Sequence, residues 1–70
     1  MSELGEMEIA ILKALSELPE ASGCKAIGEK AGIEWRKVMA KLRGLKKNGY
    51  VESPVKGEYI ISEKGKVAIK

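Results

Sequence analysis

Histidine is absent from these 70 residues, and cysteine occurs once, at Cys24. A lone thiol without imidazole builds neither an intramolecular disulfide nor a Cys/His zinc site, so no metal and no cofactor are expected. Asp, Gln and Thr are missing as well, and Asn48 is the only side-chain amide. Without histidine the commonest general base is gone. The carboxylate pairs that adjacency offers, Glu3 with Glu6 and Glu17 with Glu20, belong to the solvent side of a helix and have no pocket to share. No glycine-rich phosphate loop or serine-nucleophile context appears, so an enzyme is not expected. No apolar run approaches the roughly 18 residues of a membrane span. The N-terminus is acidic and polar rather than basic then apolar, which argues against export and for a reducing cytoplasm. The Glu/Lys-rich, amide-poor usage points to a thermophilic source.

Hydrophobic residues make up 44% of the chain and charged residues 33%, the balance of an ordinary globular protein. A chain of this length is expected to form one domain, residues 1–70, burying at best roughly 60% of its unfolded surface. The net charge of +3 conceals a polarity. Seven Glu against three Lys in residues 1–34 give −4, and ten Lys or Arg against three Glu in residues 35–70 give +7. An acidic half joined to a basic half is the pattern of an oriented contact with a polyanion.

The first helix is expected over residues 3–18, with Ser2 at its cap and Pro19 as its stop. Leu4, Met7, Ile11, Ala14, Leu15 and Leu18 share one face and read as core. Ile9 and Leu12 lie round from that stripe and are either covered by the hairpin and C-terminal helix or available to another subunit. After an extended step at residues 21–23, a second helix spans 24–31, turning Cys24, Ile27 and Ala31 inward. Gly32 is placed as the left-handed residue beyond its end. Cys24 reads as a small core residue rather than a reactive thiol.

The stretch 34–48, EWRKVMAKLRGLKKN, carries Arg36, Lys37, Lys41, Arg43, Lys46 and Lys47. Val38, Leu42 and Leu45 fall at i, i+4 and i+7 and define one buried stripe. Arg36, Arg43 and Lys47 lie opposite, beside the small residues Ala40 and Gly44. Ile33 and Val38 occupy the positions of a hydrophobic staple at the start of this helix. Trp35 reads as either a partly buried staple residue or an exposed contact. Beyond it, residues 50–53 and 58–61 form strands joined by a turn at 54–57, and Ser62 caps a last helix over 63–69. The fold class is therefore mainly α with a small β-hairpin (α+β): a three-helix core, a wing and a short C-terminal helix.

This order resembles the winged helix-turn-helix family, in particular small prokaryotic regulators of MarR-like and ArsR-like type. Val38, Leu42 and Leu45 followed by Gly49, Tyr50 and Val51 are similar to that family's V-x3-L-x2-L-x3-G-[LY]-V run. Tyr59 to Gly65 looks like its Y-x-L-T-x-x-G, and Ile11, Leu12, Ala14 and Leu15 like its I-L-x-x-L. The resemblance implies that the third helix enters the major groove of DNA and that the hairpin around Lys56 is a wing on the backbone or minor groove. Two features depart from the pattern. Lys56 is the only basic residue of a short wing, and Met39, Ala40 and Lys41 stand where relatives often carry Ser, Thr, Gln or Asn.

Base reading here falls to arginine, which grips guanine in a bidentate way, with Arg36 first and Lys37 and Arg43 as alternates. Lys41, Lys46, Lys47 and Lys56 suit phosphate. The expected function is duplex DNA binding with modest sequence specificity, as a transcriptional regulator or a small chromatin-associated protein in the cytoplasm or nucleoid. A homodimer would read half-sites about 34–36 Å apart. Two alternatives stay open. One is a protein-interaction module using Ile9, Leu12, Trp35, Ala40 and Gly44, and the other is an RNA- or tRNA-binding domain.

Overall fold

The computed structural model describes residues 4–70. Its elements run in the order α1 (Glu6–Glu17), α2 (Cys24–Ala31), α3 (Trp35–Lys47), β1 (Val51–Val55), β2 (Glu58–Ile61) and α4 (Glu63–Ala68). This is a winged helix-turn-helix of α+β class, in which three helices and a two-stranded antiparallel hairpin share one core.

Helix α1 begins later than its periodicity predicts, at Glu6, with Gly5 at the cap; the expected cap at Ser2 lies outside the described residues. Leu18 adopts an extended backbone with ψ 134°, as a residue preceding proline must, and the helix stops there. Ile11, Ala14 and Leu15 are buried as their spacing requires, and Leu4, Met7 and Leu18 pack at the margin. Leu12 is fully buried too, so of its two readings the covered one holds and its assignment as a partner contact is corrected. Helix α4 approaches it at Gly65, where a Cβ would come within 3.3 Å of the Leu12 side chain. Ile9 remains half-buried.

Helix α2 buries Ile27 completely and sets Cys24 and Ala31 against the core. Gly32 follows with φ 73°, and this left-handed residue lets the Ile33 N–H reach back to the Gly28 carbonyl at 2.9 Å. Ile33 then packs on the core just before Val38, Leu42 and Leu45, all buried, fasten α3.

The hairpin differs from its sequence reading at the turn. Pro54 and Val55 belong to β1, and only Lys56 and Gly57 connect the strands. Pairing of Glu52 with Ile60 changes register before Val55 meets Glu58, so β1 carries an extra residue, a bulge that accommodates Pro54 without its missing N–H. A third short segment joins this edge. Ser22 and Tyr59 exchange two backbone hydrogen bonds, of 3.0 and 2.8 Å, at the extended step before α2.

Helix α4 is locked onto the end of α3 by Ser62. Its Oγ accepts from the Gly65 N–H at 3.2 Å and donates to the Gly49 carbonyl, while its N–H donates to the Tyr50 carbonyl at 3.0 Å. Gly65 permits this approach because a Cβ there would lie 2.3 Å from the Tyr50 oxygen and 2.7 Å from Ile61. Backbone atoms cannot yield as a flexible side chain can. Gly65→Ala is therefore expected to cost about 3 kcal/mol or more in equilibrium denaturation, at the upper end of overpacking changes.

Candidate nucleic-acid interface

The strongest concentration of charge lies along α3. With its buried stripe fixed in the core, the 3.6-residue repeat forces Arg36, Ala40, Arg43, Gly44 and Lys47 to the outside, and all five are exposed. Residues 35–47 contain no carboxylate. Lys46 and Lys47 stand in the last turn, where the helix dipole favours positive charge. Ala40 and Gly44 form the low strip between the cations, and nothing lies within 4 Å of where a Gly44 Cβ would be.

The other predicted cations divide by position. Lys37 is exposed on the flank, and Lys56 stands at the hairpin tip next to Val55, which is itself 57% exposed. Lys41 faces α1, where its Nζ lies 3.8 Å from Glu8 Oε1. That pairing draws it away from the outer face. A shallow hollow of about 370 Å³ separates Lys46 and Gly49 from Val51 and Pro54 of the hairpin.

Two arrangements escape a reading of the sequence. The Arg36 guanidinium lies over the Trp35 indole at 5.5 Å from its centroid, and Trp35 is 40% exposed beside a groove of about 320 Å³ lined also by Lys25, Gly28 and Ile33. Of its two readings the structure favours the exposed one, since Trp35 is not among the residues packed on the core. Lys64 is the second case. Its Nζ donates to the Asn48 carbonyl at 2.8 Å and sits 4.6 Å from the Tyr50 ring centroid, so it caps the end of α3. The Lys64 contacts depend on how the end of α3 meets α4, and the Arg36 contact on the rotamers of two consecutive side chains, neither of which the sequence pattern shows.

Among the described residues no group of three or more Cys, His, Asp or Glu could hold a metal, and no helix is long and apolar enough to cross a membrane. Glu17, one of the adjacent carboxylates, pairs with Lys30 at 3.3 Å.

No protein-family model matches the chain, and no curated protein does. Among solved structures the chain is similar to the crystal structure of Sso10a-2, a DNA-binding protein from Sulfolobus solfataricus, with 28% identity and a TM-score of 0.68. The match covers 94% of this chain and 72% of that one. It supports the winged-helix architecture.

The open surroundings of Gly44 allow a stability test free of packing effects. Gly44→Ala is expected to stabilise the fold by about 0.5–1 kcal/mol, the helix-propensity difference, measured by denaturant titration. A loss of stability would mean that the strip is covered in the folded protein.

Proposed function

We propose that this protein binds duplex DNA through the outer face of α3, with the hairpin as a short wing. The observation that carries this reading is a helix whose buried stripe leaves Arg36, Arg43 and Lys47 together on one exposed, carboxylate-free face. A 28%-identical neighbour of the same fold that is a DNA-binding protein supports it independently. The groove-facing helix supplies charge and a low profile, so phosphate attraction dominates the affinity.

Arg36, Lys37 and Arg43 are the residues proposed to approach base edges. Lys46, Lys47 and Lys56 are proposed to hold phosphates, and Lys41 contributes through the general field while paired with Glu8. A preponderance of lysine over amide side chains favours broad occupancy of DNA over stringent recognition of one operator. The corresponding role is a small chromatin-associated or regulatory protein, the regulatory reading resting on the likeness of its motifs to MarR-like and ArsR-like proteins.

Charge reversal tests the surface. Arg43→Glu with Lys47→Glu is expected to weaken duplex binding at low salt by about a hundredfold or more, since one proposed base contact and one proposed phosphate contact are lost and two attractions to the polyanion become repulsions. Lys13→Glu, on α1, is expected to have a much smaller effect. Failure of the unaltered protein to bind any duplex in a low-salt titration contradicts the proposal. Equal effects of the two reversals would move the interface elsewhere.

A further inference from the structure

Arg36 occupies the leading turn of α3, and its guanidinium lies over the indole of Trp35. The ion pairs among the described residues engage Lys30, Lys41 and Lys66 and not Arg36, and Glu29 is the carboxylate that lines the groove beside Trp35. Only the Trp35 backbone is held close, its nitrogen lying 3.5 Å from where a Gly28 Cβ would be, while the residue is 40% exposed at the groove between α2 and α3. A guanidinium over an aromatic face is attracted by the ring while its N–H groups stay free for other acceptors. Lys37, Arg43 and Lys47 have no such support among the described residues.

We propose that Trp35 is a positioning residue for base reading by Arg36. The indole limits the conformations of the arginine before DNA arrives and leaves its donors available as a fork, matched to the O6 and N7 of guanine in the major groove. The inference rests on the proposed duplex binding and adds to it a guanine preference set at the N-terminal end of α3. Trp35 itself reads no base. It converts a mobile cation into a directed one.

The test uses the full chain and the duplex it prefers from a random pool, with the critical G·C pair either kept or replaced by A·T. The measured quantity is the ratio of the two affinities. Arg36→Ala and Trp35→Ala are each expected to lower this ratio about tenfold, the scale of one bidentate base contact. Affinity for the A·T duplex and its salt dependence should stay within about twofold, because phosphate contacts are retained. Trp35→Phe keeps an aromatic face and should preserve much of the discrimination, whereas Trp35→Leu should not. This second pair decides the matter if the alanine variant proves unfolded by thermal denaturation.

Wild-type discrimination in Trp35→Ala, or equal behaviour of the Phe and Leu variants, would overturn the positioning role. Unchanged discrimination in Arg36→Ala would overturn base reading by Arg36. A protein that binds all duplexes equally would remove the inference and leave duplex binding standing. One that binds none would remove the function beneath it.

Discussion

The close approach at Gly28 sets the geometry on which the rest depends. A Cβ at this position would stand 2.6 Å from the Ile33 carbonyl oxygen and 3.5 Å from both the Trp35 nitrogen and a Val38 methyl. Glycine in a helix costs roughly 1 kcal/mol relative to alanine. Here it allows α2 and the turn to close together, so that Val38, Leu42 and Leu45 reach the same core as Ile11 and Ile27. Fully burying each such side chain is worth about 1.5–3 kcal/mol, which outweighs the propensity cost. Once that stripe is seated, the outward direction of Arg36, Arg43 and Lys47 follows from helix geometry alone.

Local electrostatics oppose this arrangement. Arg43 and Lys47 are four residues apart, as are Lys37 and Lys41, and like charges at this spacing destabilise a helix by about 0.2–0.5 kcal/mol per pair. The exposed pair Lys30–Glu17 and the half-buried pair Lys41–Glu8, at 3.8 Å, return little, since ion pairs near the surface contribute about 0–1 kcal/mol. These two pairs join the acidic first helix to the following elements while the outer face of α3 keeps its cations uncompensated. Such a conflict between local stability and global pattern is expected at a surface that meets a partner, and the proposed polyanion would remove it.

Periodicity made most of the fold legible. The stripes of the three core helices, the left-handed Gly32 and the Ser62 cap all depend on neighbours within a few positions, and the structure bears them out. What escaped depends on distant pairs. Leu12 lies off the main stripe of its own helix, so its sequence left burial and a partner contact both open, and the packing of α4 at Gly65 beside it decides for burial. Pro54 joins a strand because a bulge changes the register. Lys41 looks equivalent to its neighbours in sequence, yet Glu8 of another helix stands beside it. Gly28 and Gly65 did leave a trace, for glycine inside a helix carries a cost that close packing repays.

The central claim is that the outer face of α3 and the wing neutralise DNA phosphates. The dependence of duplex affinity on salt measures this most directly, because each neutralised phosphate contributes about −0.9 to the slope of log affinity against log salt. With Lys46, Lys47 and Lys56 on phosphates the account predicts a slope of about −2.7, a loss of about 1.6 decades between about 50 and 200 mM salt, and a shallower slope by about one for Lys47→Ala. A slope near zero, or one that Lys47→Ala leaves unchanged, would contradict it.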